Sequence, residues 1–180
     1  DVVYVKPLYI MQKESNQFFE DGYMGGRSVN VEDLFTAVDS WRYPVSIYYN
    51  DEAETEEEID ANALMHYYDI QTPDFDLENA RISLELVGNN WKPMANAADL
   101  TEAQINTLPL LSNTDFNASI NEEDTDGDGN KELVFKSEFG WNLEQIVYVY
   151  VEVSVEHKWG TESMWVRIPV YPHGEAPETK

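Results

Sequence analysis

An acidic stretch, DTDGDGNKE at residues 124–132, holds the side chains whose types and spacing most clearly suggest chemistry. Oxygen-bearing side chains occupy every second position along it. They are Asp124, Asp126, Asp128, Asn130 and Glu132. Calcium takes about six to eight oxygen ligands, and a tight loop can supply them from alternate side chains together with a backbone carbonyl. The spacing therefore predicts a calcium site, in which Asn130 gives its carbonyl and Glu132 binds directly or through water.

Two further positions of the stretch, a glycine and a phenylalanine, distinguish a structural calcium loop from an EF-hand. Gly129 stands sixth, counted from Asp124, where the chain must turn sharply with a positive φ that a side chain would resist. The order Asp-x-Asp-x-Asp-Gly matches the beginning of the EF-hand pattern. The twelfth position, where an EF-hand has a bidentate Glu, is Phe135, and an apolar run at 133–135 replaces the exiting helix. We therefore expect a structural calcium loop ahead of a β-strand, and no helix-loop-helix sensor.

The stretch DTDGDGNKELVF, residues 124–135, resembles the DxDGDGxxEL calcium loops of FG-GAP (integrin-type propeller) and thrombospondin type 3 repeats. In those families a compact calcium loop lies against β structure or packs against its neighbours. The resemblance implies a calcium-binding role for the same five oxygen-bearing residues. It covers twelve of the 180 residues and implies nothing about the overall fold. This chain has one copy of the loop, whereas those families repeat it.

The charge of the chain limits the classes of partner. The sequence has 35 acidic and 11 basic residues, a formal net charge of −24. Nucleic acid and anionic lipid bind clustered Lys and Arg, so neither is an expected partner. Self-repulsion at this charge costs stability unless cations screen or bind it, which suits a salty or calcium-rich setting. The absence of cysteine excludes disulfides and zinc–thiolate sites, and without a run of 18 apolar residues no membrane insertion is expected.

Other candidate groups in the sequence give weaker signals. The run at 51–60 contains seven acidic residues and favours a solvated loop or a frayed helical turn, with a second cation site as the alternative. The histidines, His66, His157 and His173, follow no metal-binding spacing, and no nucleophile elbow or phosphate loop is present. We therefore predict that the protein is not an enzyme. Asn117 begins the only N-glycosylation sequon, which makes it a weak glycosylation candidate.

The last third of the chain predicts a long β-hairpin. Residues 146–157 alternate between valine and polar or aromatic side chains, and residues 163–172 alternate in a similar way. A two-residue period of this length is typical of strands with one buried face. The second face carries four aromatic side chains, Tyr148, Tyr150, Trp165 and Tyr171. If the chain does not cover them, they form a ligand or subunit face; otherwise they belong to a packed layer.

Shorter signals outline the remaining elements. Strands are predicted at 1–11 and 43–50, where β-branched and aromatic residues are frequent. A further strand is predicted at 80–88, where Ile82, Leu84 and Leu86 alternate with polar residues as in a half-buried strand. Helices are predicted at 30–41, after a capping asparagine, and at 99–109, where a threonine and a glutamine three residues later form a capping box. The helices are expected to lie in the connections between strands.

Together these elements predict a mostly β fold. We expect a single antiparallel β-sandwich, Ig-like or jelly-roll, with one or two short helices in its connections. The domain is expected to span residues 1–180, with 1–11 as a candidate strand-exchange arm and 173–180 as a flexible tail. In strand exchange, residues 1–11 would add to the sheet of a neighbouring molecule.

The calcium loop, the acidic composition and the long strands lead to one functional hypothesis and one alternative. The first is a secreted or surface-exposed, calcium-stabilised structural or adhesive subunit: a filament, surface-layer or virion component, or an adhesin module. It would associate with itself or with other surface proteins through β-strand contacts. The alternative is a carbohydrate-binding module that stacks glycans on the aromatic face of the hairpin. An extracellular or cell-surface location is expected, because the chain begins at Asp1 as if a secretion signal had been removed.

Overall fold

The computed structural model describes residues 7–13, 17–20, 28–113, 118–137 and 145–172. Strands account for 48% of them and helices for 17%, which confirms the prediction of a mostly β fold. The strands are β1 (Leu8–Gln12), β2 (Phe19–Glu20), β3 (Ser28–Asn30), β4 (Phe35–Asp39), β5 (Pro44–Val45), β6 (Asp74–Ile82), β7 (Leu84–Val87), β8 (Asn90–Pro93), β9 (Ala118–Glu123), β10 (Glu132–Ser137), β11 (Val147–His157) and β12 (Gly160–Tyr171). The helices in these ranges are α1 (Glu56–Tyr67), α2 (Glu102–Ile105) and 3₁₀ turns at Val31–Asp33, Ala97–Asp99 and Leu111–Asn113. None of them is long and apolar enough to cross a membrane.

The described strands form three sheets and a separate hairpin. One sheet has the order β2-β12-β11-β6, a second β1-β4-β5 and a third β3-β10-β9, while β7 pairs with β8. These pairings are antiparallel except for that of β2 with β12. Side chains from all three sheets meet in one hydrophobic core. This arrangement is consistent with the predicted β-sandwich.

The β11–β12 hairpin contributes a large part of that core. Five valines of β11 have no exposed surface: Val147, Val149, Val151, Val153 and Val155. Val166, Ile168 and Val170 of β12 are equally buried. Since His157 pairs with Gly160, Lys158 and Trp159 alone form the turn. The alternating pattern is thus confirmed as a hairpin, with one face that is buried along β11 and along β12 from Val166 to Val170 and half-buried at Met164.

A side-chain amide joins the β1 sheet to β12. The backbone N–H of Arg167 donates to Oε1 of Gln12 at 2.8 Å, and Nε2 of Gln12 donates to the carbonyl of Arg167 at 3.3 Å. A residue of a neighbouring antiparallel strand would form the same pair of hydrogen bonds with the N–H and C=O of Arg167. The two sheets are therefore linked by hydrogen bonds as well as by the shared core.

The helix predicted at 30–41 is wrong. A 3₁₀ turn, Val31–Asp33, forms at its start, and Asn30 makes no capping hydrogen bond through its side chain. The chain then becomes β4, in which buried and half-buried residues alternate. β4 is paired on both sides, with β1 and with β5. These pairings satisfy backbone groups and bury side chains, whereas a short helix gains little stability from its apolar spacing alone.

The acidic run at 51–60, predicted as a solvated loop or frayed turn, is a turn and loop over residues 51–55, but residues 56–60 form the beginning of the three-turn helix α1. This helix begins at a capping box, in which the N–H of Glu58 donates to the hydroxyl of Thr55 and the Glu58 carboxylate accepts from the N–H of Thr55. The hydrogen bonds from Thr55 hold the pKa of Glu58 below its usual value. Ala61 is the one buried residue of α1. α1 is therefore a surface helix with a strong N-terminal signal.

Two predicted strands are shorter or interrupted. The strand predicted at 43–50 is reduced to β5, and that predicted at 80–88 is divided at Ser83 between β6 and β7. The N–H of Ser83 donates to the carbonyl of Tyr148 at 2.9 Å, and its hydroxyl accepts from the N–H of Tyr148 at 2.8 Å. Ser83, which separates β6 from β7, is therefore hydrogen-bonded to β11. Beyond it Leu86 is 57% exposed, although the alternation predicts that it is buried.

The helix predicted at 99–109 is present as the short α2. Its capping box is formed by Thr101 and Gln104, as the sequence predicts, and Ile105 is buried. Residues 8–11 of the candidate strand-exchange arm pair with β4 of the same chain, and Leu8 is fully buried. Three predictions fall on residues outside the described part of the chain: the first six residues of the arm, the tail at 173–180 and the glycosylation candidate Asn117.

Candidate metal centre

The acidic loop connects β9 to β10 at one end of the third sheet. Glu123 and Glu132 face each other at the two ends of the loop, in antiparallel register. β10 is the central strand of this sheet, because it also pairs with β3. Its residues Leu133 and Phe135 have no exposed surface, and Glu132, only 4% exposed, starts the strand. The loop is therefore anchored to a strand that the core holds in place.

Backbone N–H groups inside the loop point at its carboxylates. Both oxygens of Asp124 accept such bonds, from Gly127 at 2.9 Å and from Gly129 at 3.0 Å. The other bonds within this set run from the N–H of Asp128 to Asp126 at 3.2 Å and from the N–H of Asn130 to Asp128 at 2.8 Å. Gly127 and Gly129 have φ values of +77° and +90°, in the left-handed region that glycine adopts without strain. The positive φ expected at Gly129 is thus present, and it folds the loop around its own acidic side chains.

Four acidic side chains come together as a result. Asp124, Asp126, Asp128 and Glu132 each offer a carboxylate oxygen, and these oxygens lie within 4.8 Å of one another. The three aspartates are exposed, whereas Glu132 is buried and its Oε2 accepts the N–H of Thr125 at 3.2 Å. Such a group could hold a metal ion. Within the described ranges no other group of three or more such side chains has this geometry.

The electrostatics around the loop are strongly negative. The N–H of Asp128 holds the pKa of the Asp126 carboxyl below its usual value, so Asp126 stays ionised at neutral pH. Beside the loop, Tyr48 and Glu32 line a small cleft of about 20 Å³. Burial raises the pKa of Tyr48 well above its usual value, and the carboxylates of Glu122 and Glu32 raise it further. A bound cation would offset this accumulated negative charge.

The sequence predicts the carboxylates of this group but not the residues that lie beside it. The structure brings together the four predicted carboxylates, and Asn130 lines the adjoining cleft with Asp128. The sequence does not predict that Glu32 and Tyr48 lie beside this group, because they are remote from it in the chain and follow no local motif. Comparisons of the chain with protein-family models, with curated proteins and with solved structures give no match.

The aromatic face of the hairpin lies against other parts of the same chain. Tyr150 is 2% exposed, and its hydroxyl donates to the carbonyl of Ala97 at 2.5 Å. Ile105 and Leu108 form a buried cluster with Tyr150, and partly buried neighbours complete it: Met94, Leu100, Tyr148 and Trp165. At the end of β12, Tyr171 contacts Phe18 edge to face, with ring centroids 5.3 Å apart. This geometry favours the packed layer over a sugar-stacking platform, since the ring of Tyr150 is buried and those of Tyr148, Trp165 and Tyr171 are half-buried against the same chain.

The hydrogen bond of Tyr150 leads to a test of this packed layer. Burial raises the pKa of Tyr150 to about 12, so the hydroxyl is a stable donor at neutral pH. Tyr150→Phe is expected to lower the free energy of unfolding by about 1–2 kcal/mol, because the Ala97 carbonyl loses its donor. Urea unfolding followed by tryptophan fluorescence measures this. The matched control Tyr49→Phe, at a residue that is 70% exposed, should change it by less than about 0.5 kcal/mol. Equal effects of the two variants would contradict the role of the hydroxyl.

Proposed function

We propose that the loop at 124–132 binds one Ca²⁺ ion. The observation that carries this proposal is the approach of four carboxylates to within 4.8 Å of one another, in a loop whose backbone already orients them. All the ligands on offer are oxygens, which suit a hard cation better than zinc or copper. Calcium accepts irregular shells of about six to eight oxygens, whereas magnesium demands a stricter octahedron and keeps several waters. The carbonyl of Asn130 and water would complete the shell.

The proposed role of the ion is structural. Glu132 belongs both to the ligand group and to the central strand β10, whose next residue, Leu133, is fully buried. An ion held by Glu132 and the three aspartates would therefore pin the loop to the sheet and offset the repulsion among its carboxylates. Because the ligands are assembled only when the loop and β10 are folded, calcium would stabilise the folded state by mass action. The loop's resemblance to other structural calcium loops supports the same role.

At the level of the whole protein, the proposed function is that of a secreted or surface-exposed structural or adhesive subunit stabilised by calcium. The net charge of −24 supports a calcium-rich extracellular setting, where weak sites of about 0.1–1 mM are filled. Association would take place through β-strand contacts. Electron microscopy and sedimentation in calcium and in EDTA test this part: assemblies that form with calcium are expected, and a monomer under both conditions would contradict it.

Isothermal titration calorimetry tests the calcium site directly. Wild-type protein is expected to bind one calcium ion with micromolar to millimolar affinity. Asp126→Ala should abolish the binding, because it removes one of four clustered carboxylates. Asp51→Ala is the matched control, since it removes an exposed aspartate from the other acidic run, and it should leave the titration unchanged. A flat wild-type trace, or equal loss of binding in both variants, would show that the loop is not the site.

A further inference from the structure

An open groove of about 820 Å³ runs between α1 and β5; we call it the α1 groove. Its floor is apolar and is formed by Tyr43, Pro44, Ala63 and Leu64. Tyr43 is 64% exposed, and Pro44 and Ala63 are exposed as well. Apolar surface therefore faces solvent here, on a protein with a formal net charge of −24.

The wall of the α1 groove is acidic. Glu56, Glu57 and Asp60 of α1 line it, and all three are exposed. Among the described residues, none of the three forms an ion pair with Lys or Arg. Over residues 51–69 the sequence contains eight Asp or Glu residues and no Lys or Arg. The negative charge of this wall is therefore uncompensated by its own segment.

The acidic and the apolar residues of α1 that line the groove follow one another along a single face of the helix. Side chains that are about three to four residues apart lie on the same face of a helix. One face of α1 therefore carries Glu56, Asp60, Ala63 and Leu64. This face changes from acidic at the N-terminal end of the helix to apolar towards its C-terminal end. A ligand that satisfies both ends must carry a positive charge next to an apolar group.

We propose that the α1 groove binds a cationic amphipathic peptide segment of a partner protein. An apolar side chain of the segment would lie between Tyr43 and Leu64, and a Lys or Arg side chain would pair with Glu56, Glu57 or Asp60. Charge complementarity selects this occupant, because an anionic ligand, or a second copy of a chain of net charge −24, would bring negative charge to a negative wall. The inference goes beyond the structural calcium role and does not depend on it.

Fluorescence anisotropy tests the proposal with a fluorescein-labelled peptide that has leucine and lysine at helical spacing. Its control has the same lysines with serine in place of leucine. The leucine peptide is expected to bind at least tenfold more tightly than the serine peptide, since attraction by charge alone fills only the acidic wall. Equal binding of the two peptides would overturn the proposal, because the apolar floor would then play no part.

Paired protein variants locate the binding. Tyr43→Ser/Glu57→Gln should weaken binding of the leucine peptide at least tenfold. The matched control Tyr49→Ser/Glu85→Gln makes the same changes outside the groove, at a tyrosine of similar exposure, and should stay within twofold of wild type. Circular dichroism verifies that both are folded, and Asp60→Asn replaces the first variant if Tyr43→Ser impairs folding. Equal weakening in the two double variants would overturn the assignment.

NMR of the ¹⁵N-labelled protein gives an independent position for the peptide. Amide shifts are expected to centre on Tyr43, on Val45, which follows the amide-free Pro44, and on residues 56–64, both with and without calcium. Shifts that centre on 124–132 would overturn the proposal, because they would show general attraction to acidic loops. Self-association of the protein alone that disappears in Tyr43→Ser/Glu57→Gln would also overturn it, since it would make a second copy the occupant.

Discussion

Saturating calcium is expected to raise the midpoint of thermal unfolding by about 5–15 °C. A ligand that binds only the folded state at about 100–1,000 times its Kd contributes about 2.7–4.1 kcal/mol. For a domain of this size each kcal/mol corresponds to about 2–4 °C. The physical reason is the approach of four carboxylates, since Asp124, Asp126, Asp128 and Glu132 come together in the folded loop next to β10. Differential scanning calorimetry in calcium and in EDTA measures the shift.

The variant Glu132→Gln tests whether the calcium-dependent shift requires the charge of Glu132. The amide oxygen of glutamine can still accept the N–H of Thr125, while the buried charge beside the three aspartates is removed. In EDTA the variant should therefore unfold at no lower temperature than wild type, because a buried, repelled carboxylate is costly. In calcium, its shift should fall to a small fraction of the wild-type value. Lower stability in EDTA together with a retained calcium shift would contradict the proposed role of Glu132.

Phe135→Ala is expected to lower the free energy of unfolding by about 3–5 kcal/mol, whether or not calcium is present. Phe135 has no exposed surface, and its ring is stacked on that of Phe19 with centroids 5.1 Å apart. Truncation removes this contact and leaves a cavity between β10 and β2 that the neighbours fill only in part. Guanidinium unfolding gives the free energy of unfolding from the midpoint and the slope.

Lys136→Ala is the neighbouring control for Phe135→Ala. Lys136 is exposed and pairs with Glu123 at 2.9 Å on the surface, so its loss should cost less than about 1 kcal/mol. The contrast between adjacent residues of β10 separates core packing from any general sensitivity of the strand. A loss of less than about 1.5 kcal/mol for Phe135→Ala would mean that the twelfth position of the loop is not fixed by the core.

The elements that the sequence predicts well are those whose signal is local and repeated. Valine recurs at every second position from 147 to 155, and a helix cannot place these side chains on one face, so the β11 strand is the natural interpretation. The loop at 124–132 is equally local, because its predicted ligands are contiguous in the chain. Helix α1 could have been predicted too: Thr55 and Glu58 form a capping box that the surrounding acidic residues obscured.

The elements that the sequence does not predict depend on remote partners. In the segment 30–41, Leu34, Val38 and Trp41 have helical spacing, yet Trp41 is 79% exposed and the segment forms β4. Its pairing with β1 and β5 involves residues that no local pattern connects. For the same reason nothing in the sequence indicates that Glu32 would lie in the cleft beside Asp128.

The link between Gln12 and Arg167 has a consequence for solubility. In the part of the chain that the structure describes, β2 pairs with β12 at Val170 and Tyr171, and Arg167 lies outside that pairing. Outward N–H and C=O groups at a sheet edge can pair with a strand of another molecule. The Gln12 amide occupies both groups and closes that part of the edge. Pairing of a strand from another molecule is thereby opposed at this residue of β12. A single glutamine side chain thus makes the addition of another strand at Arg167 less favourable.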